Sequence, residues 1–479
     1  MQIVSFVFFG FVAAVFLMLL LINRIFKDDS KAALISNIVL LVASYAFITY
    51  ADWRFAAVIL AITAVTFFSA KYKKAQKIGI IFAVLCLAFF KYTNFFVESF
   101  EKVFNLDHTT VSIILPLGIS FYTFSAISYI VDVSRKKTEQ KSFIDVALYL
   151  AFFPKITSGP IQKSADFFKQ ISEKRKVGWS TLLPGIQIFA FGMFKKIVLA
   201  DRLSVFVDQV FGTPLSFGSF TVFLATIAYS FQIYFDFSGY SDMAIGIAKV
   251  LGIDLPKNFN LPYLAHNVTE FWKRWHITLS SWLQEYLYIS LGGNRKGKIR
   301  TYVNLILVMV IGGIWHGPSW TYVIWGLLHG AALAVHKIWM TVTHSDKKNH
   351  SSFANVISIA VTFLFTDFCC IFFRASTLSQ ALMIIKRIFA FDSGLEQPYL
   401  WLFIALAVFI VACIAAYLKS KKCGSAQLPT KKHNVSLVNG YYPIFDLTKF
   451  WGLVVFFTLC GLIICLAYTG GSPFIYGAY

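Results

Sequence analysis

Apolar residues in this chain come in blocks of about 20, separated by short polar loops. Blocks of that length match the thickness of a bilayer's hydrocarbon core when wound as α-helix. The pattern predicts membrane-crossing helices over 1–22, 32–50, 54–70, 78–97, 111–131, 181–200, 219–238, 302–316, 320–340, 352–373, 399–418 and 449–469. The first block has no basic residue before it and no small-residue cleavage pattern after it, so it reads as a retained helix rather than a signal peptide.

Two regions break the pattern. Residues 143–170 contain "FFPKITSGP" (152–160), whose prolines and glycine predict a broken or re-entrant piece. Irregular backbone persists at membrane depth only where protein or water satisfies it. Residues 239–300 are too polar to cross and too apolar to float free, so they are expected along one face or dipping into the bundle. Within them, Asn267–Leu291 reads as one helix. Asn267 and Glu270 are spaced like a capping box. Trp272, Trp275, Leu279, Trp282, Leu283 and Tyr286 recur every three or four residues as an apolar stripe. "LGGN" (291–294) ends it.

Composition strengthens the membrane reading. The chain is 58% hydrophobic and 14% charged, whereas soluble domains carry nearer a quarter charged residues. The net charge of +20 gathers in loops such as "KYKKAQK" (71–77), "RKKTEQK" (135–141), "EKRK" (173–176) and "GGNRKGKIR" (292–300). Placing these loops in the cytoplasm is consistent with the helices above and puts both termini outside. Six of the seven cysteines lie in apolar runs and Cys423 in a lysine-rich loop; with no CxxC, neither a disulfide framework nor a zinc site is expected. No internal repeat of the kind common in secondary transporters is evident.

The chemistry-bearing stretch is "VIGGIWHGPSWTYVIWGLLHG" (310–330). Counting from Thr301, His316 stands about fifteen residues into the helix, roughly 22 Å of rise and past the middle of a ~30 Å core. An ionisable side chain at that depth points to function. Trp315 and Trp320 flank it, and Gly312, Gly313, Gly317 and Pro318 loosen the backbone around it. His329, thirteen residues on, reads as structural. Motifs for serine hydrolases, zinc proteases, P-loop and dinucleotide enzymes are absent. A neutral imidazole suits another task, accepting the proton of a hydroxyl that attacks a thioester.

Four segments, "FFPKITSGPI" (152–161), "YFDFSGYSDMAIG" (234–246), "NFNLPYLAHNVTEFWKRWHITLSSWLQEYLYISLGGNR" (258–295) and "GGIWHGPSWTYVIWGLLHG" (312–330), resemble the membrane-bound O-acyltransferase family. The similarity is to its bacterial branch, which includes the alginate O-acetylation and teichoic acid D-alanylation proteins. The resemblance implies an all-α fold, a ring of about 11–12 transmembrane helices with re-entrant and interfacial helices around a central tunnel. It implies a single domain over 1–479, with a catalytic core over 143–340. The family's catalytic histidine matches His316 and its second histidine matches His276. The implied donor is acetyl-coenzyme A as a substrate, with no permanently bound cofactor and no metal. Arg274, Lys273 and Arg295 are then candidates for its phosphates, against the simpler reading of positive-inside loops. Trp315, Trp272 and Asp236 are candidate tunnel residues; Asp236 and Asp242 stand at the inner end of an apolar span, where they orient His276, line the tunnel or cap a helix.

The sequence ends "GGSPFIYGAY" (470–479). Its aromatics alone fit an interfacial anchor. The resemblance suggests instead an extracellular relay tail in which Tyr476 takes the acyl group. It departs from the family pattern at Gly477, where Phe is usual. The function implied is acetyl transfer from the cytoplasm toward an extracellular or cell-wall polysaccharide, across a bacterial cytoplasmic membrane. An extracellular esterase-like partner of the SGNH type is implied too, and no nucleic acid. The alternatives are D-alanyl transfer to teichoic acid from a carrier-protein thioester and, in another class, a polysaccharide-precursor transporter or flippase.

Overall fold

The computed structural model describes residues 5–104, 113–343, 352–422, 445–468 and 470. Among them the secondary structure is helical, apart from one β-bridge between Phe217 and Leu395. In chain order the helices are Phe6–Ile25 (α1), Asp29–Ala51 (α2), Trp53–Lys71 (α3), Gln76–Phe104 (α4) and Ile119–Ser134 (α5). Short helices follow at Phe143–Ala151 (α6), Phe153–Ile156 (α7) and Ser164–Ile171 (α8). Then come Trp179–Met193 (α9), Asp201–Gly212 (α10), Ser219–Val250 (α11), Val268–Arg274 (α12) and Ile277–Trp282 (α13). The chain continues through Lys298–His316 (α14), Trp320–Thr343 (α15), Ser352–Arg374 (α16), Leu378–Phe389 (α17), Leu400–Lys422 (α18) and Phe450–Leu466 (α19). Nine helical stretches among the described residues are long and apolar enough to cross a membrane, and α5, α18 and α19 are shorter apolar helices. This is the architecture of a polytopic membrane protein.

Local chemistry sets where the first helices start. Ser5 accepts from the Phe8 N–H at 3.2 Å, Asp28 from the Ser30 N–H at 2.9 Å, and Asp52 from the Arg54 N–H at 2.8 Å. Each satisfies a donor that the first turn leaves without an intrahelical partner. Large apolar side chains such as Phe6, Phe96, Phe353 and Phe457 stay exposed on the outside, as a hydrocarbon solvent permits.

The centre is α11, with 78% of its most apolar window buried, against 6% for peripheral α4. Glycines bring α9 onto α11. A Cβ at Gly185 would stand 2.7 Å from the Gly246 carbonyl oxygen, and one at Gly192 would stand 2.6 Å from that of Gly239. Small residues at this spacing let helix backbones meet without a hydrophobic driving force. A π-helical turn over Phe194–Ala200 then turns Lys196 inward, where it pairs with Asp236 at 2.6 Å and Asp201 at 2.8 Å.

The structure corrects two boundaries. The span read as 219–238 runs on to Val250, so Asp236 and Asp242 lie within one continuous helix rather than at its inner end. Their charges are met by Lys196 and Lys195, which removes the cost that made them look like an end. Asn267–Leu291 is not one helix. It breaks at His276, whose φ is +41°, and resumes as α13 and a π-helical turn over Leu283–Tyr288. The stripe of aromatics is thus split between two packing sites. Asn267 does cap α12, accepting from the Glu270 N–H at 2.9 Å, but Glu270 returns its carboxylate to the His266 N–H, not to Asn267.

The 143–170 region is broken as expected, and its backbone is satisfied by protein. The Phe153 N–H donates to Ser44 Oγ at 3.1 Å and the Ile161 N–H to Thr278 Oγ1 at 3.1 Å. Tyr149 Oη donates to the Gln162 carbonyl at 2.8 Å.

Candidate active site

His316 is the last residue of α14. The helix starts at Lys298 rather than near Thr301, so about 27 Å of helix precedes the ring. Gly313 and Gly326 admit the Tyr322 and Met309 carbonyls so closely that neither position has space for a Cβ, and α14 and α15 are pinned against each other. Two neighbours on α4 clamp the carbonyls at the end of α14. Lys91 Nζ donates to the Trp315 carbonyl, and Tyr92 Oη donates to that of Ile314 at 2.5 Å. A cation at a helix C-terminus is favoured by the helix dipole. The His316 ring is 4% exposed and packs in an aromatic cage, with centroid distances of 4.7 Å to Trp315, 4.9 Å to Phe373 and 5.1 Å to Trp325.

The cage has one open side. A cavity of about 190 Å³ is lined by His316, Trp315, Lys91, Tyr240, the Thr157–Ser158 segment and the Leu115–Phe121 approach to α5. It lies at the end of α14 away from the basic loop 292–300, and at the start of α5, away from the basic loop 135–141. A sealed imidazole would exclude catalysis; this one borders open volume.

His276 sits at the bend between α12 and α13, 1% exposed. Its Nδ1 lies 3.0 Å from Asn258 Oδ1. That oxygen also accepts from the Thr278 N–H at 3.3 Å and from Thr278 Oγ1 at 2.9 Å. Because a backbone N–H only donates, the Asn258 atom is the acceptor, and His276 carries its proton on Nδ1. Burial pushes the ring's pKa down to about 3, outweighing a backbone hydrogen bond that raises it, so the imidazole is neutral near pH 7. The Phe237 ring stands edge-on at 4.7 Å. Lys91 lines the same cavity as His316.

Residues 44–375 match the family model of the membrane-bound O-acyltransferase family. The chain belongs to this family. It is 41% identical over 336 residues to the peptidoglycan O-acetyltransferase of Helicobacter pylori, covering 64% of this chain and 63% of that protein. It is 38% identical over 382 residues to the probable alginate O-acetylase of Pseudomonas aeruginosa, covering 74% and 70% of the two chains. The similarity to the teichoic acid D-alanyltransferase of Streptococcus thermophilus is 31% over 262 residues, or 50% of this chain and 62% of that one.

Of the residues singled out in the sequence of this family member, Trp315 and His316 border the cavity, and His276 is not among its lining residues. Asp236 is not among the cavity's lining residues and is held by Lys196. Trp272 packs instead on Trp325 at 5.7 Å and on His329 at 5.1 Å, and His329 in turn packs on Trp325 at 5.0 Å. Trp320, flanking His316 in sequence, faces outward and is 74% exposed. Arg274 is 5% exposed, and its guanidinium is engaged by Glu270 Oε1 at 2.6 Å and by the Asn260 carbonyl at 3.3 Å. Lys273 and Arg295 remain exposed. Burial raises the Glu270 pKa, but the His266 N–H and the Arg274 charge outweigh it and hold the carboxyl below its usual value. Tyr476 lies outside the described residues.

Lys91, Tyr92 and Asn258 were not found by sequence reasoning. Asn258 opens the long quoted segment 258–295, so its place was visible, but its role was not. Lys91 is a lone cation inside an apolar run, and that was the one available signal.

Proposed function

We propose that the protein is an acyltransferase that moves an acetyl group from acetyl-coenzyme A, bound on the side of the basic loops, to a hydroxyl that enters from the opposite face. The observation that carries this reading is His316, buried at the end of α14 yet bordering a cavity on the side away from the basic loops. His316 takes the proton of the acceptor hydroxyl as its oxygen attacks the thioester carbonyl. The tetrahedral intermediate collapses, the C–S bond breaks, and the proton passes to the departing thiolate. His276, neutral and fixed by Asn258, polarises or orients the thioester. Exposed Lys273 and Arg295 are among the cations available for donor phosphates, while the charge of Arg274 is already committed to Glu270.

In this reading the catalytic core spans 143–340, and both termini lie outside the bacterial cytoplasmic membrane. Tyr476 supplies the first accepting hydroxyl and hands the acetyl group to an SGNH-type extracellular partner, which delivers it to a polysaccharide. The acetyl donor is favoured over a D-alanyl carrier thioester by the higher identity to proteins named as O-acetylating, 38–41%, than to the D-alanyltransferases, 27–31%. The test is intact-mass analysis of the full-length protein incubated with acetyl-coenzyme A, beside Tyr476→Phe and His316→Ala. An acetyl adduct on the wild type alone supports the reading. Equal adducts on the wild type and Tyr476→Phe exclude the relay, and labelling only from a D-alanyl carrier assigns the other donor.

A further inference from the structure

The end of α19 is fastened to the core by an arginine. Arg202, on α10, donates from Nε to the Leu466 carbonyl at 3.2 Å and from Nη2 to the Ala467 carbonyl at 3.4 Å. Its guanidinium lies over the rings of Trp401 and Tyr468, 5.1 Å and 5.5 Å from their centres. The Tyr468 N–H donates to the Ile197 carbonyl at 3.1 Å. The last carbonyls of a helix have no partner within it, and a cation there is favoured by the dipole. A lysine would meet the charge, but a planar guanidinium also serves two carbonyls and stacks on rings. The chain is thus held at 466–468, just before the segment 470–479 that carries Tyr476.

The place of this anchor matters. Ile197 belongs to the π-helical turn over Phe194–Ala200, which prolongs α9 at its end away from the basic loop 173–176. The His316 cavity also lies away from the basic loops. The same turn touches α11, where a Cβ at Gly239 would stand 3.0 Å from the Lys196 backbone nitrogen. The next residue, Tyr240, lines the His316 cavity. Anchor and cavity therefore flank one helix, which with its side chains is about 10–12 Å across. Tyr476 follows Tyr468 by eight residues. Fully extended, eight residues span at most roughly 26–29 Å. That reaches round one helix and little further, so the starting point of the tail decides whether Tyr476 reaches His316.

We propose that Arg202 is the positioning residue of the acyl relay, fixing the root of the tail so that Tyr476 comes within reach of the cavity beside His316. This rests on the reading of Tyr476 as the first acceptor. In that step the tyrosyl oxygen bonds to the acetyl carbon and the C–S bond breaks. The phenolic proton passes through His316 to the departing thiolate. Arg202 acts on this step by raising the effective concentration of Tyr476 at the site, which is highest when the length of a tether matches its span.

The test uses the full-length protein in lipid nanodiscs with acetyl-coenzyme A, and follows acetyl on Tyr476 by mass spectrometry. In Arg202→Ala this transfer slows about tenfold, the loss expected when a tether is no longer matched to its site. A synthetic peptide of residues 470–479 is then offered as a free acceptor to Tyr476→Phe and to Arg202→Ala/Tyr476→Phe. A free acceptor needs no anchor, so the two proteins acetylate it at the same rate. If the peptide is not accepted by either, acetyl-coenzyme A affinity is read instead, and it stays at the wild-type value in Arg202→Ala. Should Arg202→Ala not fold, Tyr468→Leu removes one ring from the guanidinium and slows transfer to Tyr476 about threefold. Unchanged transfer to Tyr476 in the folded variant overturns the proposal. So does an equal loss with the free peptide or in donor affinity, which would mark Arg202 as a support of the core. A wild type that forms no acetyl-Tyr476 removes the relay reading itself, and the role of Arg202 with it.

Discussion

His276 and His316 are both buried, yet they are held in contrasting ways. His276 is fixed by a polar network: one Asn258 oxygen serves the ring, a backbone N–H and a threonine hydroxyl. His316 is fixed by shape, caged by Trp315, Trp325 and Phe373, with the helix end beneath it clamped from α4. A polar network sets which nitrogen carries the proton. A cage sets position while leaving one side open. The first suits a group that orients, and the second suits a base that must meet a substrate.

The largest separation between the two should come from His316→Asn. Acetyl transfer is expected to fall by at least about 10³-fold, the upper part of the range for a general base, while acetyl-coenzyme A binding and the melting temperature stay near wild type. A residual rate within tenfold would mean the ring is not the base. Asn258→Ala tests the other arrangement. It strips the acceptor from three buried donors at once, so a stability loss of about 3 kcal/mol or more is expected in thermal unfolding. Transfer should slow about tenfold in the folded fraction, with Asn258→Asp recovering most of it because the acceptor oxygen returns.

Tyr92→Phe probes the clamp. It removes one hydrogen bond to the Ile314 carbonyl, which still accepts from the Gly317 N–H at 3.1 Å. A loss of about 1 kcal/mol is expected, and a fall in turnover with unchanged donor binding would identify positioning. The smallest effect is that of Glu270→Gln. The native carboxyl titrates below its unfolded value of 4.5. Its stabilising contribution is therefore fully present above about pH 4.5 and is lost as pH falls through the lowered native value. Glu270→Gln should lower the melting temperature at pH 7 and flatten its fall in that acid window; an unchanged acid limb would show that the Arg274 pair is not a stability element.

The long apolar blocks were legible because membrane helices must satisfy their backbone internally and so repeat one signal. The place of His316 was legible because a titratable residue in such a block stands out. The end of α11 was not, since the polarity of Asp236 and Asp242 is neutralised by lysines about 40 residues earlier in the chain. The bend at His276 was hidden because its aromatics keep helical spacing on both sides. Lys91 was hidden for a similar reason: its partner, the Trp315 carbonyl, is 224 residues away, and backbone carries no sequence signal.

The central claim is that the His316 cavity opens on the face opposite the basic loops. Cysteine accessibility tests it most directly, with His316→Cys in a chain whose native cysteines are replaced, embedded in sealed vesicles of known orientation. The account predicts labelling by a membrane-impermeant thiol reagent from the face opposite the basic loops. Labelling from the basic-loop face alone, or from neither face, would contradict it.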